Sequence, residues 1–292
     1  MHIRELLAAN QPSISFEFFP PKSAEASEKL FKVIEELAAK KPSFVSVTYG
    51  AGGTTRDLTH DLVVRIMKEA SIPAVPHLTC VLHNKKEMNE ILSRYAEVGV
   101  GNILALRGDP PRNQPNYSRL DDEFPYAQDL VREIVAFNRE SSAPDFGVGV
   151  AGFPEGHPET PNRLKEMDYF KAKVDEGADY ICTQLFFDNH DLLDFRDRCS
   201  LAGIDIPIIA GVMPVTSRKG MIRMAELAAG SRFPAKLQSL LVNAPDDDVT
   251  EIGIDYATEQ SQEILKEGFP GIHFYTLNKS RATLEVVERL SL

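Results

Sequence analysis

Ser13-Ile14-Ser15-Phe16-Glu17-Phe18-Phe19-Pro20-Pro21 alternates, with Ile14, Phe16 and Phe18 on one face and Ser13, Ser15, Glu17 and Phe19 on the other. A period of two is that of a β-strand, and the double proline, with no amide to give to a ladder, stops it. A carboxylate in so aromatic a run is costly to bury unless it is paired, hydrogen-bonded or protonated. Two accounts of Glu17 fit. It is either a strand-end carboxylate reaching solvent or a cation, or a general acid whose desolvated carboxyl holds a proton near neutral pH and delivers it.

Further along the chain, the same kind of strand recurs in alternation with helices. Helical spacing over Ala24 to Lys40 precedes a strand at Phe44 to Gly50, and a helix at Asp57 to Ala70 precedes one at Ala74 to Cys80. Lys85 to Val98 leads to a strand from Asn102, Tyr126 to Arg139 to one at Phe146 to Phe153, and Pro161 to Glu176 to one at Tyr180 to Asp188. His190 to Leu201 precedes Pro207 to Met213, and helical material at Arg218 to Ala229, Ala235 to Leu241 and Asp246 to Lys266 precedes Gly271 to Asn278. A last helix is expected from Arg281 to Leu290. Strict alternation implies a parallel sheet, and eight units ending in a helix favour an α/β fold of the (β/α)8 barrel type, one domain over residues 1–292.

The composition agrees. The 292 residues are 43% hydrophobic and 26% charged, ordinary values for a globular chain, and 292 is near the size of one such barrel. A net charge of −11 argues against a nucleic-acid or anionic-membrane surface. Cys80, Cys182 and Cys199 are odd in number and lack metal-ligand spacing, so buried free thiols and no metal are expected. Neither a signal-peptide core at the start nor a bilayer-spanning apolar run is present, so a cytoplasmic setting is expected. In that setting Asn116-Tyr117-Ser118 and Arg107-Gly108-Asp109 do not signal glycosylation or adhesion.

Active sites of these barrels sit at the C-terminal ends of the strands. Those ends here carry Glu17, Thr48, His77, Arg107 with Asp109, and Gln184. Alternation sets Thr48 on the face of Ser46, opposite Val45 and Val47, and sets Arg107 and Asp109 on the face of Ala105, opposite Leu104 and Leu106. Other accounts remain open: a hydrogen-bonded barrel histidine for His77, an Arg107–Asp109 ion pair, and a Gln184 that satisfies backbone groups. Phe186 and Phe187 read as packing residues and Asp188 as a helix N-cap. The irregular stretch from Asp109 to Glu123 is long enough to suggest function.

Two glycine motifs are discounted. Gly147-Val148-Gly149-Val150-Ala151-Gly152 has dinucleotide-fingerprint spacing but lies inside a strand, where small inward residues make room in a barrel. Gly50-Ala51-Gly52-Gly53-Thr54-Thr55 lacks the P-loop lysine, although its amides can approach a phosphate or substrate.

Several motifs together resemble the methylenetetrahydrofolate reductase family: Ser15 to Lys22, Val45 to Gly53, Pro76 to Cys80, Leu106 to Asp109, Pro154 to Pro158, Thr183 to Asp188 and His273 to Asn278. The resemblance runs in order from about residue 13 to the end. It implies a barrel that binds FAD and reduces 5,10-methylenetetrahydrofolate to 5-methyltetrahydrofolate, a step of one-carbon metabolism that feeds methionine synthesis. NADH or NADPH gives a hydride to the flavin and leaves before folate binds in the same place. Glu17 then resembles the family's general acid, Asp109 the carboxylate beside flavin and pterin, and Gln184 the folate-binding glutamine. Thr48, Tyr49, His77, Arg107, Gly108, Asp109, Tyr126, Ala127, Ala151, Phe153, His157, Glu166 and Lys173 would line the FAD site, with Arg107 and Lys173 as charge partners of its diphosphate. Phe153 stands where many relatives carry Tyr, Glu166 where an Asp is common, and Lys279 at a folate-tail position where Arg is frequent.

The resemblance also implies a homo-oligomer. No counterpart of the eukaryotic C-terminal regulatory region, where S-adenosylmethionine binds, is present, which suggests the prokaryotic type and NADH as donor. Three alternatives remain: a flavoprotein subunit reduced only through a partner protein, a pterin-binding methyltransferase barrel, and a non-catalytic folate-binding protein.

Overall fold

Parallel ladders join β1 (Ser13–Phe18) to β2 (Phe44–Val47) on one side and to β8 (Gly271–Tyr275) on the other. Between them β3 (Ala74–Thr79), β4 (Asn102–Leu106), β5 (Gly147–Gly152), β6 (Tyr180–Thr183) and β7 (Ile208–Val212) follow in chain order, so the sheet closes on itself. The chain is seen here as a computed structural model that describes residues 2–8, 12–50, 55–111, 114–228 and 230–291. The alternation expected from sequence is therefore a (β/α)8 barrel.

The helices are α1 (Ile3–Leu7), α2 (Ala24–Ala38), α3 (Arg56–Arg65, continued by a wide turn at Ile66–Ala70), α4 (Lys85–Glu97), α5 (Ala127–Glu140) and α6 (Arg163–Asp175). They continue as α7 (Asn189–Leu201), α8 (Arg218–Leu227), α9 (Ala235–Val242), α10 (Val249–Lys266) and α11 (Arg281–Leu290). Side-chain caps start several of them: Asn84 accepts from the Glu87 amide, Asn162 from those of Leu164 and Lys165, and Asp188 from that of His190. The expected cap at Asp188 is thus present. Phe186 and Phe187 are buried, as packing residues should be.

Both faces of the strands are buried, as a parallel barrel requires. Outward side chains such as Phe16, Val47, Ile103 and Phe274 pack under the helices. Inward ones, Phe44, Val75, Leu104, Tyr180, Cys182 and Ile209, form a separate plug with Ile3 and Leu7 of α1. That helix seals the N-terminal end of the barrel, where the Ile3 amide donates to Asn102 Oδ1 at 2.9 Å. No element was expected there, although Ile3, Leu6 and Leu7 have the spacing of one helix face.

The structure corrects the face assignment of β4. Ala105 lies in the outer layer with Ile103, while Leu104 and Leu106 join the inner cluster. Alternation past Leu106 does not hold because the Cys80 amide is shared by the carbonyls of Leu106 and Arg107, and Gly108 then turns with φ +86°. A Cβ at Gly108 would lie 2.8 Å from Thr79 Cβ, so the turn also needs glycine for space. The inward glycines of β5 are as expected: a Cβ on Gly149 would stand 2.3 Å from the Tyr180 ring.

Three strands stop three or more residues before their expected ends, β2 at Val47, β6 at Thr183 and β8 at Tyr275. Past β8 the cause is visible, since Leu277 and Asn278 take φ of +49° and +57°. The Asn278 side chain there accepts from the Phe19 amide at 3.0 Å and donates to the Phe19 carbonyl at 2.9 Å, pinning the ends of β1 and β8 together. Asn278→Ala loses both bonds and replaces a residue that tolerates the left-handed backbone with one that does so less well, which is expected to cost about 2 kcal/mol by denaturant unfolding, with m unchanged.

Cys80, Cys182 and Cys199 are buried free thiols. Among the described residues no helix is long and apolar enough to cross a membrane. Nor, among them, is any group of three or more His, Cys, Asp or Glu side chains placed to hold a metal ion.

Candidate active site

The lower interior of the barrel is apolar, and polar groups begin one layer above it. His273 on β8 stands between two serines, with Nδ1 2.8 Å from Ser15 Oγ and Nε2 3.1 Å from Ser46 Oγ. Ser15 Oγ also lies 3.3 Å from the Ile272 carbonyl, to which it donates. It therefore accepts from Nδ1–H, and Nε2 accepts the Ser46 proton. Burial pushes the His273 pKa down to about 3, so the ring is a neutral strut.

Glu17 is the next inward residue of β1. Its Oε2 lies 3.5 Å from Nε2 of His77, with side-chain exposures of 19% and 8%. The separation suits an ion pair, but burial acts on both groups against charge. It raises Glu17 to about 8 and lowers His77 to about 3. At neutral pH the shared proton therefore resides on Glu17, and His77 faces it as an uncharged base. Among the described residues His77 Nε2 has no hydrogen-bond partner, so the hydrogen-bonded account left open for His77 does not describe that nitrogen. Tyr275, also inward on β8, donates its hydroxyl to the Thr183 carbonyl at 2.6 Å. Alternation from Gly271 would have disclosed both His273 and Tyr275.

A second cluster lies across the mouth at the ends of β4 and β5. Arg107 grips Glu159 through two bonds, Nη1 to Oε2 at 2.8 Å and Nη2 to Oε1 at 3.0 Å. The Arg107–Asp109 ion pair considered from sequence does not form; Asp109 is exposed beyond the Gly108 turn. Arg119, in the long connection before α5, donates to Glu159 Oε2 at 2.8 Å. Lys173 is half-buried and donates Nζ to the Ala151 carbonyl at 2.7 Å, and desolvation lowers its pKa to about 8. Burial, and then the Arg107 charge, lower the His157 pKa, and its ring stands edge-on to Phe153 at 4.8 Å. Glu166 braces this loop, accepting from the His157 amide at 2.8 Å and from Arg163 at 3.1 Å.

The other candidates are more dispersed. Tyr49 turns its hydroxyl to His83 Nε2, 3.1 Å away. Thr48 closes the β1–β2 ladder through its amide on the Phe18 carbonyl, and its own carbonyl accepts from Thr59. Tyr126 and Ala127 open α5. Gln184 Oε1 accepts from the Leu185 amide at 2.9 Å, the backbone-satisfying role left open from sequence, and its amide nitrogen remains available. Lys279 is exposed beyond β8. The loop 51–54, considered as an amide cradle, lies outside the described residues. Glu159 and Arg119 were missed: a glutamate beside the quoted His157 motif and a lone arginine in an aperiodic loop carry no pattern.

The family model described as methylenetetrahydrofolate reductase matches residues 2–291. "Methylenetetrahydrofolate reductase (NADH) 1" of Arabidopsis thaliana is 37% identical over 301 residues, covering 99% of this chain and 50% of the relative. The chain thus spans about half the length of the plant relatives it matches. It spans 92% of the 5,10-methylenetetrahydrofolate reductase of Escherichia coli, at 37% identity and 97% coverage of its own length. In fold it is similar to a Clostridium thermocellum protein described as binding two copies of 5-methyl-5,6,7,8-tetrahydrofolic acid, with TM-score 0.64, 15% identity and coverage of 99% and 98% of the two chains. From the family match along nearly all its length, together with its identity to the bacterial enzyme, the chain belongs to the methylenetetrahydrofolate reductase family.

Proposed function

We propose that the protein reduces 5,10-methylenetetrahydrofolate to 5-methyltetrahydrofolate with NAD(P)H through bound FAD, the two substrates using the mouth in turn. The observation that carries this reading is Glu17, a carboxyl kept protonated by burial beside a neutral histidine. A reaction that must protonate a weakly basic ring nitrogen needs such a group.

The second cluster fits FAD. Its cations, Arg107, Arg119 and Lys173, lie near the Gly108 turn, a donor set suited to a diphosphate. Among the described residues Lys173 makes no ion pair with a carboxylate, and it is desolvated, which an anionic group would relieve. FAD bound there would carry a hydride from NAD(P)H to the folate.

The chain's own residues supply the rest. Glu17 delivers its proton to the imidazolidine nitrogen; the C–N bond breaks and its electron pair stays on nitrogen, leaving an iminium at the bridging carbon. Asp109 offers a negative charge to that cation. Gln184 can donate from its amide and accept at its carbonyl, matching a pterin edge. Lys279 can meet the carboxylate of the folate tail as a point charge.

Protonated Glu17 is the active form, so the folate half-reaction is expected to fall as pH rises through about 8. Flavin reduction by NADH should not follow that titration. Stopped-flow measurement of each half-reaction against pH checks this. The basic test is the visible spectrum of the purified protein before and after anaerobic NADH. A flavin band that bleaches supports the proposal, and one that persists with both NADH and NADPH favours reduction through a partner protein. A colourless protein that takes up no added FAD overturns it.

A further inference from the structure

The anion held by Arg107 and Arg119 in this structure belongs to the same chain. Three charge-assisted bonds of 2.8, 3.0 and 2.8 Å bind Glu159 to the two guanidinium groups. Glu159 comes from the connection between β5 and α6 and Arg119 from the one between β4 and α5, so the carboxylate bridges two mouth loops. The exposures are uneven: the Glu159 side chain is 48% exposed, Arg107 25% and Arg119 30%. The carboxylate sits on the solvent side of the pair, and it can leave into water while the arginines stay. A small cavity beside them is lined by Arg107, Gly108, Tyr117 and Arg119.

We propose that Glu159 is an internal stand-in for a phosphate. Its carboxylate holds Arg107 and Arg119 in place until a diphosphate ligand displaces it, and Arg119 is thereby a further diphosphate-binding residue. The exchange is chemically natural, because a guanidinium fork that receives a carboxylate through two parallel bonds receives phosphate oxygens in the same way. The hydrogen bonds from Arg107, and then the one from Arg119, hold Glu159 ionised down to about pH 2, so protonation does not vacate the place at neutral pH. Displacement needs a stronger anion, and a diphosphate carries more charge than one carboxylate. Ion pairs this exposed are weak, so releasing Glu159 costs little against the bonds regained. The proposal rests on the flavin reading only for the identity of the diphosphate. If Glu159 were only a fastener for the long loop, its loss would loosen Arg119 and leave ligand binding unchanged or weaker.

The test titrates protein freed of flavin with FAD, by fluorescence quenching, and with inorganic pyrophosphate, by calorimetry. The forms compared are the wild type, Glu159→Gln and Arg119→Gln, with circular dichroism to confirm folding. Glu159→Gln is expected to bind both ligands about tenfold more tightly and Arg119→Gln about tenfold more weakly, and riboflavin, which lacks the diphosphate, should respond to neither change. Glu159→Asp serves as a second variant, since it keeps a competing charge and should not reproduce the gain of Glu159→Gln. Unchanged or weaker binding by Glu159→Gln overturns the proposal, as does unchanged binding by Arg119→Gln. A protein that binds FAD but ignores both substitutions keeps the flavin reading and loses this one. One that shows the expected order with pyrophosphate yet binds no FAD does the reverse, and one that binds neither ligand overturns this proposal.

Discussion

Glu17→Gln is expected to slow the folate half-reaction by ~10²–10⁴-fold while leaving flavin reduction by NADH nearly unchanged. The amide keeps the volume and hydrogen-bonding reach of the carboxyl and lacks only the releasable proton. His77, 3.5 Å away, cannot replace it, because burial holds that ring neutral down to about pH 3. Single-turnover stopped flow separates the halves, following flavin bleaching with NADH and re-oxidation with folate. Loss of both halves together would show that Glu17 does something other than donate a proton to folate.

The same variant carries a stability signature of opposite sign. Folded Glu17 titrates near 8 against an ordinary 4.5. Between those values the folded state keeps a proton that the unfolded chain has lost, so the contribution of this group falls as pH rises and its full cost is reached above about 8. Glu17→Gln removes the titration, and its Tm relative to wild type should rise between pH 5 and 8.

Gly253→Ala is expected to destabilise the protein by about 3 kcal/mol, the upper end of the usual range for overpacked interiors. Gly253 lies within α10, where alanine propensity alone predicts a gain of about 1 kcal/mol. Space decides otherwise. A Cβ there would lie 1.7 Å from the Val215 carbonyl oxygen, and that neighbour is backbone, unable to rotate aside. Thr250, one turn earlier, donates to the Thr216 carbonyl at 3.0 Å, so helix and loop are also joined. Either α10 must withdraw or the loop after β7 must shift into the mouth. Calorimetry should show a Tm lowered by several degrees, at roughly 2–4 °C per kcal/mol for chains of this size class. A Tm at or above that of wild type would show that the helix backs away at little cost.

Helical and alternating periodicity was enough to place every strand and the helices from α2 onward, since a barrel repeats one local instruction. The failures came where the signal is not periodic. Alternation gave the wrong face for Leu104 and Leu106 because the turn at Gly108 resets the direction of Arg107. The Arg107–Glu159–Arg119 cluster joins residues from two connections, and nothing in their spacing announces it. Glu17 was legible because a carboxylate in an aromatic strand is anomalous by itself. Its neighbour His77 looked like an ordinary barrel histidine until the geometry placed the two side by side.

The seam between the first strand and the last has a consequence for synthesis on the ribosome. β1 ladders with β8 from Ser13 opposite Gly271 to Glu17 opposite Tyr275, Thr276 donates to the Glu17 carbonyl, and Asn278 clasps Phe19. Seven of the eight strands can emerge while β1 still lacks one neighbour and the acid it carries lacks a fixed position. Contacts so distant along the chain close late, because the entropy of the intervening loop must be overcome first. A nascent chain halted before Gly271 would hold almost every site residue yet have no positioned proton donor. It would also expose an open parallel edge on each side of the gap, which is where a chaperone or a second nascent chain would attach.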